Sequence, residues 1–289
     1  MPRVPSETLV GPGYATCETG IVTARPYVLA TLEGYSVEGG FDRAHEPATC
    51  YSPTISLGRH AGPGEADGLW RDYERVLDVA ATLPLDGVRL GLEWARIEPH
   101  RDQFDETALA RYLEVVRYAK SLGLRVSVAT VGEAWPAWLG LEAWLLPWVA
   151  PRVTNYVRRV VAALGPDVDG VVLFAEPEKI VRRGFLEGTA PPWRRRASLD
   201  AASASAQIRG LVEQLSLDAA VGPLMVERTC TIDLDEAALA TSLAGDFTEV
   251  YLRALVKGNG PTCASNGLLV QHGSEWKVAP EQNALEALA

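Results

Sequence analysis

Residues 170–177, Gly-Val-Val-Leu-Phe-Ala-Glu-Pro, end an apolar run in a carboxylate and follow it with proline. Such a run reads as a buried parallel strand. Its end delivers Glu176 to a rim, and in a barrel of parallel strands the rim is where chemistry sits. Gly184 to Pro192 follows as a loop stiffened by proline and loosened by glycine. A carboxylate at a partly desolvated strand end suits a general acid. Other strand ends carry Glu33, Trp94, Glu133 and Glu227. Glu133 and Glu227 are the local candidates for a second carboxylate, and each can equally serve a structural ion pair. Arg89 can orient a carboxylate or pair with Glu33 or Glu133. Trp94, Trp135 and Trp138 can stack on a ligand ring or pack in the core.

Other chemistries find less support. The four cysteines are dispersed without a Cys-x-x-Cys pair, and the four histidines form no His-Glu-x-x-His pattern. No metal or cofactor is expected. Gly-Tyr-Ser-Val-Glu-Gly from Gly34 falls short of a nucleophile elbow, because Glu38 stands where glycine is required. The formal net charge of −10 argues against a nucleic-acid partner. Arg194-Arg195-Arg196 reads as a solvated loop start or, alternatively, as an anion or carboxylate clamp.

The elements that must position these residues alternate from residue 70 onward. Apolar spacing predicts a helix over 70–82, a strand over 88–94, and a helix from an Asp105 cap to Leu122. A strand over 124–131, a helix over 151–164 and the Glu176 strand follow, then a helix over 199–215 and a strand over 220–226. Upstream, Tyr27 to Tyr35 reads as an earlier strand. Residues 40–68 read as a long ordered loop, and residues 268–278 as a hairpin. Strand and helix alternating at this spacing imply parallel pairing with right-handed crossovers. The expected fold class is α/β, a TIM-barrel-like (β/α) barrel forming one domain over 1–289. An open doubly wound sheet is the alternative, but no glycine-rich phosphate loop follows the first strand.

Nearly half of the 289 residues are apolar, enough for a large core. No apolar run reaches the roughly 18–20 residues needed to span a bilayer. The first seven residues lack a basic-then-apolar signal, so a cytoplasmic location is expected, with no membrane partner.

Taken in order, these segments resemble the family-one β-glycosidases, retaining enzymes on a (β/α)8 barrel. Ala30 to Gly40, with Leu32-Glu33-Gly34, is similar to that family's first-strand motif. Val88-Arg89-Leu90-Gly91-Leu92-Glu93-Trp94-Ala95-Arg96-Ile97-Glu98-Pro99 is similar to its second-strand signature. Trp135-Pro136-Ala137-Trp138-Leu139 resembles the region after the third strand, and Phe174-Ala175-Glu176-Pro177 resembles Asn-Glu-Pro. Val221 through Pro261 looks like the fifth strand and its following helix. The resemblance implies Glu176 as acid/base and a sugar site involving Ser36, Glu38, Arg89, Trp94, Trp135 and Ala175. It also marks departures. Ser36 stands at the family's glutamine, Gly132 at its histidine and Ala175 at its asparagine, which removes directional hydrogen bonds to a sugar. The seventh-strand Thr-Glu-Asn-Gly nucleophile motif is absent. The barrel is therefore expected to be shortened or incomplete after the fifth strand.

Three functions compete at this stage. One is a divergent glycosidase-like enzyme using Glu176 on a glycoside or compact cyclic substrate. The second is a non-catalytic binding or scaffold protein, with a homo-oligomer or partner completing the barrel. The third is a non-hydrolytic lyase or cyclase.

Overall fold

The computed structural model describes residues 29–221, and the backbone of four later strands at 225–226, 250–255, 262–272 and 275–279. Five strands pair in parallel and in chain order: β1 Leu29–Leu32, β2 Gly87–Gly91, β3 Arg125–Val131, β4 Gly170–Phe174 and β5 Met225–Val226. The fold is the α/β, TIM-barrel-like arrangement expected, in partial form. β6 Val250–Leu255 and β8 Glu275–Ala279 run antiparallel to β7 Thr262–His272, which joins β5 in parallel. The expected hairpin is thus present, with Leu269 opposite Val278 and Gln271 opposite Trp276. The expected fifth-unit helix is corrected at its end. Val-Tyr-Leu-Arg-Ala-Leu of β6 pairs residue by residue with Leu269 to Ala264 of β7, and its Val and Tyr suit a pleated strand.

The helices are α1 Gly34–Val37, α2 Ser52–Ser56, α3 Tyr73–Thr82, α4 Trp94–Ile97, α5 Glu106–Ser121, α6 Val149–Leu164, α7 Pro177–Val181 and α8 Ser198–Ser216. The Asp105 side chain caps α5 by accepting from the Thr107 and Ala108 amides at 2.8 and 3.1 Å. Expected strands end early, β4 at Phe174 among them. β1 stops at Leu32, where Gly34 opens α1, and β2 stops at Gly91, so Trp94 starts a helix instead of ending a strand.

Strand side chains divide between two faces. Val88, Leu90, Val126, Val128, Val171 and Leu173 join the main core, which also takes in the buried residues of the long helices. The opposite face carries Arg89, Gly91, Ser127, Ala129 and Val172, which share register positions across β2, β3 and β4. Ala129 and Val172 form a separate small cluster there with Ala175. Small and polar residues on one face and branched apolar ones on the other mark a concave interior facing away from the helices.

Gly34 is a packing requirement. A Cβ there would lie 2.7 Å from Glu93 Cγ and Oε1 and from the Gly91 carbonyl oxygen. Only glycine lets the chain leaving β1 pass so close over the end of β2.

Candidate active site

Parallel register puts the strand ends at one level. Leu32 pairs with Leu90, Gly91 with Ala129, and Val131 with Phe174. Acids follow at once: Glu33 directly after β1, Glu93 two residues past β2, Glu133 two past β3 and Glu176 two past β4. Glu33, Glu133 and Glu176 line a single cleft, together with Ser36, Tyr51, Trp135, Ala175, Lys179, Ile180, Arg183, Ala190 and Pro191.

Glu176 occupies the turn between β4 and α7 with φ 51°, the left-handed region that an L-residue enters at a cost. The strand stops at Phe174, earlier than the apolar run suggests, so that the turn swings the carboxylate into the cleft. Lys179 Nζ, one turn further on, donates to Glu176 Oε2 at 3.0 Å. The helical path continues from α7 into a π-helical turn, Arg182–Glu187. There Arg183 Nη1 donates to Glu133 Oε2 at 3.3 Å. Gly184 lies in that turn, and a Cβ on it would sit 2.5 Å from the Pro191 carbonyl oxygen. This close approach seats the Gly184–Pro192 loop against α7 and forms the apolar wall of Ala190 and Pro191.

The third pair lies deeper. Arg89, buried on the interior face of β2, donates to Glu33 through Nη2. The ion pair with Glu33 that the sequence allows for Arg89 is present. The opposite wall comes from the 40–68 segment. It is ordered, as expected, and is tied to the β3 end by a Thr49–Pro136 bridge and by Cys50 N donating to Trp135 O at 2.8 Å. Tyr51 stacks on Tyr35 with centroids 4.9 Å apart, and on His60 at 5.2 Å. Burial, with the neighbouring Glu133 charge, pushes the Tyr51 phenol well above its usual range.

The sequence-derived site residues divide accordingly. Glu176, Glu133, Ser36, Trp135 and Ala175 meet at the cleft, although the Trp135 indole is almost wholly buried, donating to Gly140 O at 2.9 Å. Glu38 does not reach the cleft. It is ion-paired to Arg96 at 3.0 Å and accepts from the Tyr112 hydroxyl at 2.6 Å, within the buried layer behind β2. Trp94 is core: it stacks on Tyr156 at 4.7 Å and donates to Glu98 Oε2 at 2.8 Å. Glu227 lies outside the described residues. Of the basic run, the Arg194 side chain pairs with Glu142 and Asp200.

Sequence reasoning missed Lys179, Arg183 and Tyr51. The first two were within reach, because Glu176, Lys179 and Arg183 recur at helical spacing. Glu93 was also missed. It is buried, Oε2 has no hydrogen-bond partner among the described residues, and burial together with the Glu38 charge holds its carboxyl well above the usual range. No group of three or more His, Cys, Asp or Glu able to hold a metal occurs among the described residues. Nor is any described helix long and apolar enough to cross a membrane.

Fold and cleft together define a (β/α)-barrel protein with carboxylates at the C-terminal ends of parallel strands. No family model matches the chain. It is 29% identical over 168 residues to a β-glucosidase of an Agrobacterium species, covering 57% of this chain and 36% of that protein. Over 136 residues it is 26% identical to the chloroplastic β-glucosidase-like SFR2 of Oryza sativa subsp. japonica, covering 45% and 21%. The chain thus matches well under half the length of either relative. The solved β-glycosidase of Pyrococcus horikoshii superposes with a TM-score of 0.62 at 18% identity, over 78% of this chain and 53% of that one. The chain shares the fold of solved β-glycosidases over about half their length.

Proposed function

We infer that this protein is a glycosidase-like enzyme in which Glu176 is the general acid/base, acting on a glycoside or a compact cyclic substrate. One observation carries the reading: a strand-end glutamate held at φ 51° turns its carboxylate into a cleft that a second acid, Glu133, also lines. Strained backbone of this kind persists where the surrounding structure over-determines it, and it concentrates at functional sites. The likeness to β-glucosidases supports the same chemistry.

In the forward step, the Glu176 carboxyl gives its proton to the leaving oxygen as the C–O bond breaks. Glu133 faces the positive charge that develops on the sugar carbon, either by bonding to it or by taking a proton from an attacking water. Water supplies the hydroxyl to the sugar carbon and releases one proton: in the covalent route Glu176 takes it as the Glu133 bond to the sugar breaks, and in the direct route Glu133 takes it and Glu176 is reprotonated from solvent. Ser36 and Ala175 offer few directional hydrogen bonds, while Tyr51, Ile180, Ala190 and Pro191 offer apolar contact. The substrate therefore includes an apolar body held by shape.

Turnover of a panel of chromogenic β-glycosides tests the reading. Glu176→Gln and Glu133→Gln should each lower kcat/KM by about 10²–10⁴-fold. Turnover by Glu176→Gln equal to the wild type, or no turnover of any glycoside by the wild type, would overturn it in its hydrolytic form.

A further inference from the structure

The three cleft carboxylates are each matched to a cation, but the cations are not equivalent. Arg89 is locked under Glu33, its side chain 3% exposed, whereas the Lys179 and Arg183 side chains are 40% and 30% exposed. Both stand at the outer side of the cleft, four residues apart along one helical path, next to the apolar wall of Ile180 and Pro191. Glu176 is the more enclosed member of its pair, at 16% exposure. A ligand entering the cleft therefore meets two partly exposed cations backed by carboxylates at strand ends.

We propose that the cleft takes a compact ring-bearing ligand carrying an oxyanion, a carboxylate or a phosphate, which binds between Lys179 and Arg183 in exchange for their contacts to Glu176 and Glu133. The proposal rests on the glycosidase-like reading for the identity of the cleft and adds the ligand's charge. Arg183 is suited to a planar oxyanion, Lys179 to a point contact. Charge balance makes the exchange specific. Glu33, Glu133 and Glu176 pair with Arg89, Arg183 and Lys179, so an added carboxylate leaves these pairs one negative charge in excess, and a phosphate monoester up to two. A carboxylate that loses its ammonium partner binds a proton more tightly. The anion therefore enters together with one proton from solvent, taken up by Glu176. The protonated acid that a leaving oxygen needs is then favoured when such a ligand occupies the cleft.

Calorimetric titration of the intact protein tests this without any requirement for turnover. The probes are 4-carboxyphenyl β-glucoside and phenyl β-glucoside 6-phosphate, each set against its neutral counterpart, which separates an anion on the leaving group from one on the sugar. At least one anionic probe should bind 10-fold or more tighter than its neutral counterpart at low salt. That advantage should shrink as ionic strength rises, and the apparent enthalpy should shift with buffer ionisation as expected for uptake of about one proton per ligand. Arg183→Gln and Lys179→Gln should each remove most of the advantage, and Arg183→Lys should restore part of it. Arg183→Gln is the reference variant should Lys179→Gln lose its fold, as read by its melting curve. Equal or weaker binding of both anionic probes, no binding of either, no proton uptake, or an advantage that survives Arg183→Gln would each overturn the proposal. Failure of the hydrolytic reading shows separately, as absent turnover with anion selectivity intact.

Discussion

Lys179 Nζ lies 3.0 Å from Glu176 Oε2, one helical turn after a glutamate whose own backbone is in the left-handed region. The pair joins a strained turn to the first helical residues after β4, so position and charge at the rim are set by neighbours in sequence. Arg183 repeats the arrangement one turn later, but reaches across to Glu133, fifty residues earlier in the chain. A single helical path thus supplies counter-charges to acids on two different strands.

The φ of 51° at Glu176 separates stability from activity. Glu176→Gly relieves the left-handed strain and Glu176→Ala does not, so the glycine variant should be more stable than the alanine one by about 1 kcal/mol. Both lose the Lys179 pair, which a half-exposed cation keeps at about 0–1 kcal/mol. Urea unfolding of the two variants measures the difference, and both should lack the activity of the wild type.

Glu93 ties stability to pH. Burial, then the Glu38 charge, raises its carboxyl in the folded protein, while in the unfolded chain it titrates near the ordinary value of about 4.3. The folded state therefore holds a proton that the unfolded state has released. This stabilising contribution is complete below the ordinary pKa and is lost as pH climbs toward the folded one. Glu93→Gln keeps the shape without the titration. It should melt higher than the wild type at pH 8, by at least about 2–4 °C, and match it near pH 4. Equal shifts at both pH values in a differential scan would contradict the assignment.

The buried Glu38–Arg96 pair should behave as a structural unit. Arg96 donates to Glu38 at 3.0 Å and to the Gly39 carbonyl at 2.8 Å, and its guanidinium stacks over Trp70 at 4.0 Å. Arg96→Met leaves a buried carboxylate without its cation and should cost about 3–5 kcal/mol. Glu38→Gln keeps an acceptor for the Tyr112 hydroxyl and should cost less. Chemical denaturation of both variants checks the order, and neither should alter the residual site's ligand preference.

Gly34→Ala should destabilise by about 1–3 kcal/mol, because the new methyl would meet both Glu93 and the Gly91 carbonyl oxygen at 2.7 Å. Removing the Glu93 side chain relieves only the first of these clashes. The Gly34→Ala, Glu93→Ala double variant should therefore fall short of the summed single effects without restoring the wild type.

What the sequence determined by itself was the alternation of the main strands and long helices up to α8, the place of Glu176 just past a strand, and the resemblance carried by Glu33-Gly34, Arg89 to Pro99 and Ala175-Glu176-Pro177. These are local signals: apolar periodicity, a cap at Asp105, and a proline that ends a run. Trp94 and Glu38 show where local signals stop. Both sit in motif positions, yet one is packed against Tyr156 and the other against Arg96 and Tyr112, partners from distant helices and loops. Only the tertiary structure decided which acids share a cleft, because the register of β1 to β4 aligns their ends and the turn at Glu176 aims its side chain. It also decided the charges that face them. Arg183 acquires meaning only when the helical path after β4 is laid beside a glutamate that follows β3. An ion pair depends on separation in space, and for Arg183 and Glu133 that separation is fixed by the packing of distant elements.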